Sequence, residues 1–342
     1  MGQIRLNLFY SINIMRKKTY IMLAVLVLTA LHACNSYDFE QEQYKNEINL
    51  LSNSSLIYDR QVADMKSEGD TLYLVAGLSG SQPCGKSLKV SVVEADSLLK
   101  AYNKSNFDID VARFAKLLPK KYYTLLETSR TINTGEFQTK FPIIVKNLGE
   151  LSPDSIYFLN YRIDPNGTDA FNHKKKEVLF RIYKENEFAS TKSNTFYNYT
   201  SSYIYTGSGA PRRPTSSNQV FPLGEHSVRL MAGDETFGEY KTALEKINRR
   251  SIVLEIGDKT PQDPNARKVT ILPYRTIDVQ AMPPTGEYDN TYRIHTISTP
   301  DGRANYYKEF RLHYKYRLSA SDPYREVQAI LRREYNPRAD LL

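Results

Sequence analysis

The run TFYNYTSSYIY at residues 195–205 sets Tyr197, Tyr199, Tyr203 and Tyr205 at alternating positions with Ser201 between them. In a β-strand successive side chains alternate between faces, so the four rings are expected on one side. Such a row has the chemistry of a sugar platform: pyranose C–H groups stack on the ring, and the phenolic tip meets the hydroxyls. The commoner outcome for a Tyr-rich strand is packing of this face against a neighbouring strand, with Phe196 and Ile204 on the other side. The absence of Trp, the larger stacking surface, favours that reading. Beside the strand, residues 207–219 (GSGAPRRPTSSNQ) form a long polar loop, and long loops in compact domains are often functional. It carries Arg212 and Arg213, whose guanidinium forks suit the carboxylates of acidic sugars or, equally, solvent. The candidate ligand-binding residues are therefore Tyr197, Tyr199, Tyr203, Tyr205, Arg212 and Arg213. The Tyr- and Arg-rich stretch at 306–317 fits an outer barrel face as well as a ligand surface.

Other chemistries find little support. The five His residues (His32, His173, His226, His295, His313) include no His-x-x-x-His pair, so no metal ligands are assigned. His295 and His313 fall in different strands, where a hydrogen-bonded histidine is commoner than a ligand. Gly207-Ser-Gly-Ala-Pro lacks the Lys and following helix of a phosphate loop, and no Gly-x-Ser-x-Gly elbow occurs. A glycosidase needs two carboxylates roughly 5 to 9.5 Å apart across a cleft. Asp234 with Glu235, or Glu287 with Asp289, are candidates, but they read more simply as solvated loop carboxylates. No catalytic residue and no cofactor is expected.

The first 33 residues carry Arg5, Arg16, Lys17 and Lys18, no acidic residue, and the apolar run YIMLAVLVLTAL at 20–31. This is the layout of a secretory signal, with translation expected to start at Met15, and the apolar run falls short of the roughly 20 residues a membrane span requires. Leu31-His32-Ala33-Cys34 resembles a bacterial lipobox, which makes Cys34 the lipidation site; the alternative is an ordinary signal with a free Cys34. Acyl chains contribute about 0.8 kcal/mol per buried methylene, so several anchor a protein stably. The expected partner is the membrane, reached through this anchor. Removing the four signal cations from the formal net charge of +8 leaves about +4, on a chain not expected to meet nucleic acid. With Cys34 lipidated, Cys84 has no disulfide partner and reads as a small turn residue.

The elements that must position these residues are strands. The 342 residues hold 26 Tyr and 14 Phe but no Trp, the composition of half-exposed sheets. Length predicts two domains at roughly 100 to 200 residues each. Residues 47–164, after a tether at 34–46, show about seven short strands, two short helical turns (one from Asp96, one at 111–118) and no long helix, which predicts an immunoglobulin-like β-sandwich without the Cys-Trp-Cys core. Asp164-Pro-Asn-Gly marks the boundary. Residues 165–342, beginning with a strand at 178–183 and holding one helix at 239–249, predict an antiparallel β-barrel of lipocalin or calycin type, or a second sandwich.

In the first half LLKAYN (98–103), Leu117-Leu118-Pro119, Tyr122-Tyr-Thr-Leu and Ser155-Ile-Tyr-Phe-Leu, and in the second Tyr203-Ile-Tyr-Thr-Gly, Tyr288-Asp-Asn-Thr-Tyr and FRLHYKY (310–316), resemble a two-domain family of Bacteroidetes surface lipoproteins. The resemblance implies an outer-membrane lipoprotein facing outward, often encoded beside polysaccharide-utilisation machinery, with a glycan ligand and glycan-uptake proteins as partners. It implies an N-terminal domain that acts as a spacer, and it brings no catalytic residues. A structural or adhesive envelope subunit that binds another protein is the alternative, and a glycosidase a weaker one.

Overall fold

The computed structural model describes residues 46–80, 82–214, 217–238 and 243–337. The signal, the lipobox Cys34 and most of the tether lie outside these residues. Among them no helix is long and apolar enough to cross a membrane.

The first half contains β1 (Ile48–Leu50), β2 (Ile57–Tyr58), β3 (Ala63–Asp64), β4 (Asp70–Leu78), β5 (Leu88–Glu94), helix α1 (Ser97–Phe107), β6 (Lys116–Leu117), β7 (Tyr123–Leu125), β8 (Ser129–Ile132), β9 (Gln138–Val145), β10 (Tyr157–Ile163), β11 (Glu177–Ile182) and β12 (Lys184–Glu185). They make one sheet in the order β1-β4-β9-β7 and a second in the order β2-β11-β10-β5-β8, with β6 beside β10 and a small β12-β3 pair. Alternation drives the packing. Phe141, Ile143 and Val145 of β9, Leu72, Leu74 and Ala76 of β4, and Leu88, Val90 and Val92 of β5 all turn into one shared core. β10 breaks this alternation because it is covered twice: Leu159 and Tyr161 face the core. Phe158 packs with Leu179 and Ala115 against Leu98, Leu99 and Tyr102.

Three expectations need correction. The strand assigned to the second half at 178–183 is β11, which pairs with β10 from Tyr157↔Ile182 to Arg162↔Glu177 and sends Val178, Phe180 and Ile182 into the sandwich core. Asp164-Pro-Asn-Gly therefore opens a long hairpin connection within one sheet, and the domain boundary lies beyond Glu185. The helical turn at Asp96 runs on to Phe107, and Asp96 makes no side-chain cap, pairing instead with Lys100 at 3.0 Å. The helical signal at 111–118 shrinks to a 3-10 turn at Val111–Arg113, after which Lys116–Leu117 joins β10 as β6. Cys84 is buried against the sandwich core.

The second half contains β13 (Thr195–Thr206), β14 (Ser217–Gly224), β15 (Ser227–Met231), helix α2 (Ala243–Arg250), β16 (Ser251–Lys259), β17 (Ala266–Pro273), β18 (Asp278–Ala281), β19 (Thr291–Ser298), β20 (Ala304–Arg317) and β21 (Arg325–Tyr335). The chain passes β20-β19-β17-β16-β15-β14-β13-β21 and closes through β20–β21 pairing, an eight-stranded antiparallel barrel. β18 pairs with the far end of β20, continuing the wall where β19 stops. Closure removes the exposed edges that an open sheet would carry. Of the two expected architectures, the barrel is the one formed.

Aromatic side chains fill its interior. Phe188 stands edge-on to Tyr292 at 4.8 Å between ring centres, and Phe310 packs on Tyr292 at 5.0 Å and Tyr197 at 5.3 Å. At the other end Tyr199, Tyr314 and Tyr316 meet the turn around Gly233, whose N–H donates to Tyr314 Oη at 2.7 Å and whose carbonyl accepts from Tyr199 Oη. Gly233 has a φ of +52°, and a β-carbon there would lie 3.1 Å from Tyr316 Oη. That turn closes this end of the barrel.

Sandwich and barrel pack through polar contacts. Asn186 Nδ2 donates to the carbonyls of Gly224 at 2.7 Å and Ser227 at 3.0 Å, and Ser67 N–H donates to Glu225 at 3.0 Å. Gly149 approaches so closely that a β-carbon would stand 2.8 Å from the Leu223 carbonyl oxygen.

Candidate functional site

The four tyrosines of β13 do not share a face. Ser201 adopts a φ of +43°. The pairing of β13 with β21 slips between Thr200 and Tyr203. This β-bulge inserts one residue and reverses the phase of everything after it. Tyr197, 0% exposed, and Tyr199 point into the barrel, where Tyr197 Oη donates to the Phe188 carbonyl at 2.9 Å. Beyond the bulge Ser202 and Ile204 turn inward, leaving Tyr203 and Tyr205 half-buried on the outer wall. The expected four-ring platform is thus two core tyrosines and a two-ring ledge.

Arg212 is also spent. Its backbone pairs with that of Ile204. Its guanidinium grips both oxygens of Asp234, holding that carboxyl below the ordinary range. Arg213 stays at the ledge, its guanidinium 6.0 Å from the Tyr203 ring centre. Tyr288 Oη donates to the Ser201 carbonyl at 2.6 Å and so pins the bulge.

Three of the four carboxylates weighed for hydrolysis are neutralised in place, Asp234 by Arg212 as above. Glu235 meets Arg325 and, at 3.3 Å, Arg250, while Asp289 meets Arg293 at 2.5 Å. His313 is buried between the Pro283 carbonyl and Glu326, each against one ring nitrogen. His295 lies opposite Tyr307 on β20, about 20 Å along the strand from His313 at about 3.3 Å per residue, so the two do not meet. Among the described residues no group of three or more His, Cys, Asp or Glu is placed to hold a metal ion.

A cleft of about 330 Å³ opens where the sandwich meets the barrel. Its apolar lining includes Ile156, Phe221, Met231, Phe237 and Leu244, and its polar lining Ser190, Thr191, Asn194 and Gln219. Gln219 Nε2 donates to Asn194 Oδ1 at 3.3 Å, leaving both amides further hydrogen-bonding capacity. Three cations and one carboxylate stand in the wall. Arg229, 2% exposed, lies between the rings of Phe221 at 4.5 Å and Tyr274 at 5.2 Å. Both its terminal nitrogens are taken by Asp154 of the sandwich, the Nη2–Oδ1 bond measuring 2.8 Å. Lys184 donates to the carbonyls of Leu151 at 2.8 Å and Leu148 at 3.3 Å, and burial pushes its ammonium down to about 8. Arg181 lies 5.3 Å from the Phe158 ring centre and 5.0 Å from that of Tyr183.

Sequence reasoning passed over these residues because Arg181, Lys184 and Arg229 sit inside short strands rather than loops. The signal was a charged residue at an apolar position, as in VLFRI (β11) and SVRLM (β15). A buried polar group is more informative than an exposed apolar one.

Family comparison follows the same two halves. A family model described as an N-terminal domain matches residues 39–170, and one described as a C-terminal domain matches residues 176–332. Solved Bacteroides structures share the whole arrangement. A Bacteroides ovatus protein of unknown function is 16% identical, with 86% of this chain and 94% of that chain covered and a TM-score of 0.60. The chain belongs to this two-domain Bacteroidetes family. An auxiliary nutrient binding protein from Bacteroides thetaiotaomicron is 14% identical, covering 83% of this chain and 94% of its own at a TM-score of 0.55. No curated protein matches the chain. The family-model limit near 176 precedes β11, whereas packing assigns that strand to the sandwich.

Proposed function

We propose that this member of the family is a non-catalytic glycan-binding accessory protein, tethered to the outer membrane through lipid on Cys34 and working beside outer-membrane glycan-uptake proteins. The observation that carries the reading is the cleft between sandwich and barrel, lined by aromatic and aliphatic side chains together with side-chain amides and hydroxyls. Sugars present the same two chemistries, apolar C–H faces and polar rims. The auxiliary nutrient binding protein among its structural relatives supports a binding role.

The test is calorimetric titration with host and plant oligosaccharides. Asn194→Ala combined with Gln219→Ala is expected to weaken binding by about tenfold or more, since each lost hydrogen bond contributes roughly 0.5–1.5 kcal/mol. Absence of binding across the panel, or an affinity indifferent to both changes, would sink the cleft reading. A second reading places the ligand on the ledge, where Arg213 stands over Tyr203. Tyr203→Ala with Tyr205→Ala separates the two, because it abolishes binding only if the ledge is the site. For the anchor, Cys34→Ser is expected to move the protein out of the membrane fraction of cells.

A further inference from the structure

The charges lining the cleft do not balance. Asp154 gives both its oxygens to Arg229, so that pair is internally neutral. Lys184 is turned onto two backbone carbonyls. Arg181 remains. Among the described residues its guanidinium makes no hydrogen bond and no ion pair within 4 Å, and its Nε is buried without a partner. Several partly buried arginines of the barrel are closed by carboxylates: Arg293 by Asp289 at 2.5 Å, Arg311 and Arg332 by Glu309 at 2.6 Å. Arg181 departs from that pattern, and it does so in the wall of a cleft.

Its setting suits capture of an anion. The rings of Phe158 and Tyr183 hold the guanidinium plane, so little side-chain freedom remains to be lost on binding. Partial burial lowers the local dielectric and strengthens attraction to an incoming negative charge. A guanidinium presents two parallel N–H donors that match the two oxygens of a carboxylate. The amides and hydroxyls around it are neutral and match a sugar ring.

We infer that the cleft selects a glycan carrying a carboxylate, with Arg181 as the residue that binds the carboxylate and Asn194 and Gln219 contacting the ring. This rests on the cleft reading proposed above. The acidic-sugar chemistry expected of Arg212 passes to Arg181, because Arg212 is already closed by Asp234.

The experiment titrates the full mature chain with uronate and sialate oligosaccharides, their methyl esters, and neutral and sulfated oligosaccharides of equal length. Free acids are expected to bind at least about tenfold more tightly than their esters, the loss of one charge-assisted hydrogen bond. The preference should shrink as salt rises. Arg181→Gln should erase the preference for free acid over ester, and Arg181→Lys should retain part of it. The ester comparison uses unaltered protein, so it holds even if Arg181→Gln folds poorly. Equal affinity for acid and ester overturns the carboxylate inference and leaves the cleft reading standing, as does tighter binding of the sulfated sugar. Failure of every oligosaccharide overturns both.

Discussion

Raising the pH above 10 should unfold this protein abruptly, for a reason written into its tyrosines. Burial raises the hydroxyl pKa of Tyr161, Tyr197, Tyr199, Tyr292, Tyr314 and Tyr316 above the ordinary value of 10.0. A group whose pKa is raised by folding stabilises the native state fully below its unfolded pKa and loses that contribution as pH climbs towards the folded value. Each such group therefore costs about 1.4 kcal/mol of stability per pH unit above 10, and six together cost about 8 kcal/mol per unit. Against a typical total of about 5–15 kcal/mol, one to two pH units suffice. Lys184 acts in the opposite sense: its folded pKa, lowered by burial to about 8, means that the unfolded chain holds the extra proton between there and 10.5. Stability should therefore rise by up to about 3 kcal/mol through that window before it collapses. The assay is denaturant unfolding across the alkaline range, read beside tyrosinate absorbance and near-ultraviolet circular dichroism. The six buried hydroxyls should ionise only with loss of the tertiary signal. If all 26 tyrosines titrate smoothly near pH 10 while that signal persists, the reasoning is wrong.

Two further predictions concern the junction. Asp154→Ala strands Arg229 at 2% exposure without its carboxylate and is expected to cost about 3–5 kcal/mol in denaturant unfolding, whereas Asp154→Leu with Arg229→Met should recover most of the loss. A single-mutant cost below about 1 kcal/mol would show that the pair does not clamp the domains. Gly149→Val drives a side chain against the Leu223 carbonyl and should destabilise by about 1–3 kcal/mol, while Gly85→Ala, with nothing within 4 Å, should be nearly neutral; equal thermal shifts in the two variants would refute the close approach.

What the sequence made legible follows from which signals are local. Alternation in β4, β5 and β9 is a two-residue pattern and announces strands directly. Short connections between successive strands imply antiparallel neighbours, the pattern of a closed barrel. The bulge at Ser201 was invisible. Bulges that need a left-handed residue often advertise it with Gly, whereas here a serine takes the strained angle and is held by Tyr288, 87 residues away in sequence. One inserted residue was enough to split a row of four tyrosines between core and surface. β11 was misplaced for a related reason: Pro and Asn-Gly mark a turn, but nothing local says whether that turn separates two domains or two strands of one sheet. Arg229 was passed over because its partner, Asp154, comes from the other domain, and pairing across domains leaves no spacing to read.

The filled interiors of both halves bear on where any ligand can sit. The sandwich core is closed by its own aliphatic side chains, and Phe188, Tyr197, Tyr292 and Phe310 occupy the barrel, so neither domain offers a chamber in the manner of a hollow barrel. The cleft at the junction draws on both halves. There Ser155, Ile156 and Arg181 belong to one half, and Gln219, Phe221 and Leu244 to the other. An isolated barrel would keep the apolar wall and Gln219 but lose Arg181 and Ile156; an isolated sandwich would keep the charge and lose the surface for a sugar face. On this geometry the first domain is more than the spacer its family resemblance suggests: it supplies half of the cleft, and the Asp154–Arg229 bridge fixes that half against the other.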